Sequence, residues 1–138
     1  MASALETFQP KHVMFVSSRD GLDELSITAP TDVIELKDGE RREYTVSPED
    51  FGFTNGRLED LQVQSPKESA YLIQNIFENK SSSSALSITA FNAGAAIYTA
   101  GITASLKEGT ELALETITSG GAAAQLERLK QKEEEIYA

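Results

Sequence analysis

The spacing of apolar residues in the first third of the chain predicts a strand and then a hairpin. Residues 11–18 (KHVMFVSS) carry a near-continuous apolar run, which is typical of a strand covered on both faces, as in a parallel sheet. Residues 31–46 (TDVIELKDGERREYTV) flank Asp38-Gly39, a pair preferred in two-residue turns, and predict a β-hairpin. Residues 47–53 (SPEDFGF) then carry a helix-start signal for a single turn.

The rest of the chain predicts four helices. Residues 65–80 begin with a capping box and a proline, and their apolar positions recur at helical spacing. Residues 85–101 are alanine-rich and apolar on nearly all sides, which indicates a buried helix ended by glycine. A second capping box opens a helix at residue 105, and a terminal helix after residue 120 is expected to turn Leu126 and Leu129 inward. The serine run at 81–84 is interpreted as a polar linker.

This order of elements predicts an α/β fold made of a buried strand, a β-hairpin and about four packed helices. One near-fully apolar strand makes no sheet by itself, and a lone hairpin is a poor platform for so many helices. The element count therefore predicts that residues 1–138 are the tail of a larger α/β unit whose earlier strands lie outside this sequence.

Composition and charge narrow the chemistry. With 22 acidic and 12 basic residues the net charge is −10, which disfavours binding to a phosphate backbone. The chain has no cysteine and a single histidine, His12, so nothing supports a thiolate metal site, a multi-histidine zinc site or a Ser-His triad. The first residues lack a secretory signal pattern and residues 85–102 are too polar for a membrane span, so a soluble cytoplasmic protein is expected.

Asp23 and Glu24 are the candidate metal ligands. They follow the first strand after a glycine, and oxygen ligands in a loop at the carboxyl end of a strand suit magnesium. The competing interpretation is a solvated acidic turn. Two further adjacent acid pairs are better explained by turn and helix-start preferences, namely Glu49-Asp50 and Glu59-Asp60.

The remaining polar candidates favour structural roles. His12 precedes an apolar strand and is interpreted as structural or surface-exposed, and Asn92 as a hydrogen-bonded buried amide. Ser17 and Ser18 could donate hydrogen bonds to a phosphate, but no GxSxG motif surrounds them. Small residues around Gly94 predict close helix packing. No GxGxxG or GxxxxGK[ST] loop is present, so the chain has no recognisable phosphate cradle.

Taken together, the motifs resemble the C-terminal part of anthranilate phosphoribosyltransferases, of the nucleoside phosphorylase/phosphoribosyltransferase superfamily. The resemblance covers about residues 9–130. It rests on GLDELS followed by APT, on the DG hairpin and PEDFG, and on the order FNAGAAIYTAG, SLKEG and ETITSG.

The resemblance implies transfer of a phosphoribosyl group from phosphoribosyl pyrophosphate to anthranilate, a step of tryptophan biosynthesis. It implies that the acidic pair binds Mg2+, with Asp23 ligating one ion and Glu24 lying between two. Cations there would neutralise the leaving pyrophosphate as the reacting carbon becomes oxocarbenium-like.

The match to the family pattern is incomplete. Three parts of the family pattern are not in this sequence: the glycine-rich pyrophosphate loop, the Lys-His-Gly-Asn-Arg segment, and the N-terminal helical domain through which the family homodimer forms. In addition, Ser17 stands where family members often have histidine. Residues 1–138 are therefore expected to be a C-terminal fragment of the catalytic α/β domain. Alone, it would be inactive and prone to self-association through exposed strand edges.

Two alternatives remain open. One is a non-catalytic binding or interaction module that retains this piece of the fold. The other is a relative in the same superfamily, either a pyrimidine nucleoside phosphorylase or a nucleic-acid-binding paralogue. The GLDE loop argues against the phosphorylase, and the net charge of −10 argues against nucleic-acid binding.

Overall fold

The computed structural model describes residues 2–54 and 56–137, with side chains described up to residue 132. These described residues form three strands and five α-helices, and two short 3-10 helices, Pro48–Phe51 and Leu58–Leu61, lie between the sheet and the second helix. The strands are β1 (His12–Ser18), β2 (Thr31–Lys37) and β3 (Glu40–Val46); the helices are α1 (Ala2–Glu6), α2 (Pro66–Phe77), α3 (Ser83–Thr99), α4 (Leu106–Thr118) and α5 (Gly121–Tyr137).

The three strands form one antiparallel sheet in the order β1-β2-β3. The predicted hairpin is confirmed: β2 and β3 pair from Thr31 opposite Val46 to Lys37 opposite Glu40, and the turn residues Asp38 and Gly39 have φ of 50° and 82°. Both values are positive, as a type I′ turn requires. The predicted α/β architecture, with a strand, a hairpin and about four packed helices, is therefore observed.

The parallel-sheet interpretation of the first strand is wrong. β1 runs antiparallel to β2 along its whole length, and most of its residues are half-buried. A continuous apolar run indicates cover on both faces of a strand, but it carries no information about strand direction. By pairing with the hairpin, β1 completes a sheet within the chain itself.

The serine run is the start of a helix and not a linker. Ser82 caps α3 by accepting a hydrogen bond from the Ala85 N–H at 3.2 Å. The buried Ser84 hydroxyl donates to Asp60 at 2.9 Å and accepts from the Arg57 N–H at 3.2 Å. Serine favours such caps because its hydroxyl satisfies a backbone donor that the helix leaves free.

The predicted serine caps of α2 and α4 are observed, whereas two other features of the helices differ from the expectation. Ser65 and Ser105 cap α2 and α4 by accepting from the N–H groups of Glu68 and Glu108. Leu129, expected to face inward on α5, is 63 % exposed, because α5 contacts little besides α2 and α4. The short α1 was not predicted.

The core has two parts that meet on α3. The first is formed by sheet, loop and α3 residues, including the fully buried Leu25 and Phe91, and the second joins α2, α3, α4 and α5 around Ala90 and Ile117. None of the described helices is long and apolar enough to cross a membrane.

Helices α3 and α4 pack closely through glycine, as the small residues around Gly94 predict. A β-carbon at Gly94 would lie 2.5 Å from the backbone N of Thr110, and one at Gly109 would overlap the Gly94 carbonyl oxygen. Both glycines are buried. The absence of a side chain at these two positions therefore sets the distance between the helices.

Gly94→Ala is expected to lower the free energy of unfolding by about 1–3 kcal/mol, because the added methyl group forces α4 away from α3. Urea denaturation followed by circular dichroism measures the loss. Ala96→Leu, a larger addition at an exposed site on the same helix, is the control and should change stability by less than about 0.5 kcal/mol. Equal stability of Gly94→Ala and the unmodified chain would contradict this packing.

Candidate functional site

The β1–β2 loop (residues 19–30) contains both predicted metal ligands. Asp23 and Glu24 are adjacent and exposed, whereas Leu25, Ser26 and Ile27, which follow them, are buried. Among the described residues neither carboxylate accepts a hydrogen bond or forms an ion pair, so their oxygen atoms are available to a ligand. The loop thus has a buried, ordered part and an exposed acidic tip.

The base of the loop is closed by backbone hydrogen bonds. The Ser18 N–H donates to the Leu22 carbonyl at 2.9 Å, and the Arg19 N–H donates to the Pro30 carbonyl at 3.0 Å. Gly21 has a φ of 95°, a conformation that favours glycine and reverses the chain just before the acidic pair.

Asp20 is hydrogen-bonded to three other residues of the loop. Its carboxylate accepts hydrogen bonds from the Leu22 N–H at 3.3 Å, from the Ser26 hydroxyl at 2.5 Å and from the Thr28 hydroxyl. Partial burial favours the neutral acid, but these bonds, with help from Ser18, outweigh burial and lower the pKa of Asp20 to about 2. The loop's third acid is therefore ionised and bonded to groups of the loop itself.

Electrostatics distinguish the two exposed acids. Partial burial, followed by the neighbouring charge of Asp23, raises the pKa of Glu24 above its ordinary value. A cation bound between the two carboxylates would relieve this repulsion, and carboxylate oxygens are the donors that Mg2+ prefers. The pair therefore fits a hard cation, although the described residues contain no cluster of three or more acidic, histidine or cysteine side chains that could hold a metal by itself.

Asn92 reaches the loop from α3. Its Oδ1 accepts from the Leu25 N–H at 2.9 Å, and its Nδ2 donates to the carbonyl oxygens of Leu25 at 2.9 Å and of Ile88 at 3.0 Å. The interpretation of Asn92 as a hydrogen-bonded amide within the apolar helix is supported by these contacts, and its side chain is partly buried. Its partner could not be predicted, since 67 residues separate it from Leu25.

Of the other sequence candidates, Ser17 and Ser18 lie at the base of the loop, and the two further acid pairs lie on the 3-10 helices. Ser17 is exposed, and Ser18 is buried and donates to the Pro30 carbonyl at 3.5 Å. Asp50 accepts from the Ser47 N–H, as expected of an acid at a helix start. Asp60 lies in the first turn of the second 3-10 helix and accepts from the Ser84 hydroxyl of α3. Asp20 was missed, although a DG pair followed by hydroxyl residues at 26, 28 and 31 is a usable signal for such a loop.

His12 lies at the far end of the sheet, in a buried polar cluster. Its Nε2 is 2.7 Å from Glu35 Oε1, and both side chains are more than nine-tenths buried, with exposed fractions of 6% and 5%. The Tyr44 hydroxyl donates to Glu35 Oε2 at 3.2 Å, and the Tyr98 ring packs edge-on against His12 at 4.7 Å. These contacts support the structural interpretation of His12.

The same cluster determines the charge of Glu35. Burial by itself would raise the pKa of Glu35, but the neighbouring Tyr98 hydroxyl, His12 and Tyr44 together lower it below the ordinary value. In turn, burial and the Glu35 charge raise the pKa of Tyr44. A cluster of this kind ties β1, β2, β3 and α3 together.

Three comparisons with known proteins give a consistent result. The family described as "Glycosyl transferase family, a/b domain" matches residues 1–123. An anthranilate phosphoribosyltransferase from Bacillus velezensis is 72% identical over 138 residues, which is 100% of this chain and 41% of that protein. The chain thus spans about two-fifths of the length of the curated relatives it matches.

Solved structures agree on the fold. The anthranilate phosphoribosyltransferase of Thermus thermophilus superposes with a TM-score of 0.80 at 35% identity, covering 92% of this chain and 37% of that one. A Saccharomyces cerevisiae enzyme of the same name, in complex with PRPP and Mg, has a TM-score of 0.70 at 24% identity over 83% of this chain and 33% of its own.

Glu35→Gln is expected to change how stability depends on pH. Because the folded-state pKa of Glu35 is lowered, its contribution is full above the ordinary glutamate pKa of about 4.3 and is lost as the pH falls through the folded-state value. The stability difference between the unmodified chain and Glu35→Gln should therefore shrink from about pH 6 to about pH 3, measured by urea denaturation. Tyr44→Phe removes one donor to Glu35 and should show a smaller change of the same sign. If the free energy of unfolding depends on pH in the same way in all three proteins, the lowered pKa of Glu35 is contradicted.

Proposed function

Because the chain belongs to the glycosyl transferase family, a/b domain, we propose that it is the C-terminal part of an anthranilate phosphoribosyltransferase. Its contribution is the acidic tip of the β1–β2 loop. The observation that carries this proposal is the exposure of Asp23 and Glu24 on a loop in which the neighbouring Asp20, Leu22, Leu25 and Ser26 are hydrogen-bonded within the protein. The proposed reaction transfers phosphoribosyl from phosphoribosyl pyrophosphate to anthranilate in tryptophan biosynthesis.

Asp23 and Glu24 are proposed to hold Mg2+. A bound divalent cation would neutralise charge on the departing pyrophosphate, whose negative charge grows as the glycosidic bond breaks. The protein's task is to present two ionised carboxylates without competing partners, and Asp20 helps because it accepts from the Leu22 N–H and from the Ser26 and Thr28 hydroxyls. Asp23 and Glu24 thereby keep their oxygens free.

The edges of the sheet support a role as part of a larger domain. β3 is lined by charged residues, with Glu40, Arg41, Arg42 and Glu43 all exposed, as is usual for an edge that stays in solvent. β1, at the opposite edge, carries the uncharged run VMFV at residues 13–16. We propose that further strands of the catalytic domain pair with β1, beside the end at which Asp23 and Glu24 stand.

This arrangement places the substrates partly outside the chain. The β1–β2 loop leaves β1 at its carboxyl end, and β1 is the edge strand with which further strands are proposed to pair, so on this proposal the loop borders those strands. Phosphoribosyl pyrophosphate and anthranilate are therefore proposed to bind between this loop and the segment that the relatives contain beyond the matched two-fifths. Homodimerisation is proposed to depend on that segment too.

Cation binding is tested on the chain alone. Paramagnetic Mn2+ should broaden the amide signals of Asp23 and Glu24 selectively, and Mg2+ should reverse the effect by competition. Asp23→Asn/Glu24→Gln is expected to abolish the broadening, because it removes both charges while preserving shape. Glu111→Gln/Glu115→Gln removes two exposed charges on α4 and should leave it intact. Uniform broadening over all surface acids would contradict the site.

Activity is tested by complementation. Co-expression with the remaining part of the Bacillus velezensis relative should give Mg2+-dependent consumption of anthranilate, followed by its fluorescence, whereas the chain alone should give none. Since loss of even an outer metal-site partner costs about 10–100-fold, Glu24→Gln should lower this activity about 100-fold or more. Full activity of the 138-residue chain alone would refute the proposed division of the site. Unchanged activity of Asp23→Asn/Glu24→Gln would refute the role of the pair.

A further inference from the structure

The two residues that flank the acidic pair are each held by both of their backbone polar groups. The Leu22 N–H donates to Asp20 at 3.3 Å and its carbonyl accepts from the Ser18 N–H at 2.9 Å. The Leu25 N–H and carbonyl both bond to Asn92 at 2.9 Å. Asp23 and Glu24 therefore form a two-residue span between two fixed ends.

The ends of this span are held by different parts of the fold. Leu22 is held by its own strand and loop, within four residues along the chain. Leu25 is held by a side chain from α3, which makes it the point where hydrogen bonds tie this span to the helical half. Because Asn92 contacts the Leu25 backbone through both its oxygen and its nitrogen, it fixes the orientation of that residue as well as its position.

Side-chain packing also fixes the position of Leu25. The Leu25 side chain is fully buried in the first core cluster together with Ile88 and Phe91, which lie on the same helix as Asn92. The Asn92 amide is anchored in turn by its bond to the Ile88 carbonyl at 3.0 Å. Since consecutive Cα atoms are about 3.8 Å apart, fixing Leu25 places the Glu24 backbone within a narrow range.

We propose that Asn92 is a positioning residue, which holds the Leu25 backbone so that Glu24 and Asp23 are presented in one arrangement to a divalent cation. The inference rests on the proposed function of the pair. Its physical basis is preorganisation: a loop fixed before binding loses less conformational freedom when the cation arrives. Without Asn92 the carboxylates keep their charge but lose their common geometry.

Two substitutions test the inference. Asn92→Ala removes the amide, and Asn92→Leu removes the hydrogen bonds while filling most of the same volume. Both are expected to weaken Mn2+ binding at Asp23 and Glu24 about 5- to 10-fold, a loss near the lower end of what outer-shell partners of metal sites contribute. Affinity is measured from the relaxation of the Asp23 and Glu24 amide signals during titration.

A matched control separates positioning from general destabilisation. Ile117→Ala, in the second core cluster, lowers the melting temperature without touching the loop and should leave the Mn2+ affinity unchanged. Equal weakening by Ile117→Ala, or unchanged affinity in both Asn92 variants, would overturn the inference while leaving the cation site in place. Absence of Mn2+ binding by the unmodified chain overturns the cation site and, with it, this inference.

Amide hydrogen exchange of the unmodified chain tests the positioning role of Asn92 even if the Asn92 variants fail to fold. In the unmodified chain the Leu25 N–H should exchange far more slowly than those of Asp23 and Glu24. Mg2+ at about ten times its dissociation constant should slow Leu25 exchange about tenfold further, if release of the Asn92 hydrogen bonds and release of the cation are the same event. Rapid exchange at Leu25, or protection that Mg2+ leaves unchanged, would overturn the inference.

Discussion

Burial of α3 between the sheet and the other helices is the constraint on which the rest of this structure depends. Phe91 is fully buried, and its ring lies 4.6 Å from that of Phe51 and 5.5 Å from that of Phe53. Leu25 from the β1–β2 loop and Val33 from the sheet complete the same cluster. The sheet and the helical half are joined mainly there, so the sheet, the loop and the 3-10 segment are all placed relative to one helix.

A helix in this position must satisfy different neighbours on each side, and the sequence of α3 reflects that. Toward the sheet it presents Ile88 and Phe91, toward the loop the amide of Asn92, and toward α4 the bare backbone of Gly94. A helix that is apolar all round is expected to be enclosed. The amide of Asn92 is tolerated within this apolar surface because its oxygen and its nitrogen are both hydrogen-bonded, which is the general condition for burying a polar group.

Local features of this fold were predictable, and features that depend on distant partners were not. The hairpin is specified by Asp38-Gly39 and the helix starts by serine with glutamate three residues on, so each can be inferred from a few neighbours. The direction of β1 and the exposure of Leu129 depend on what packs beside them, which neighbouring residues do not specify. Ser82 was misread because serine favours both caps and connectors, and the choice rests on the following helix. At the candidate site, the sequence indicates Asp23 and Glu24 as candidate ligands, but it does not indicate the Asn92–Leu25 contact that supports them.

The candidate site therefore combines local and non-local determinants in a way that suits the proposed function. Charge is supplied by two neighbouring acids, which a sequence can show. Their geometry is supplied by Asp20 within the loop and by Asn92 from α3. Exposed acids on a flexible turn would bind a cation weakly, because much of the binding energy would be spent on ordering the backbone. Here that ordering is already provided by folding. The same helix that joins the two parts of the core holds the acidic tip at one end of the sheet. If the proposed function holds, both the stability of the fold and cation binding depend on α3. Substitutions in α3 are therefore expected to affect both.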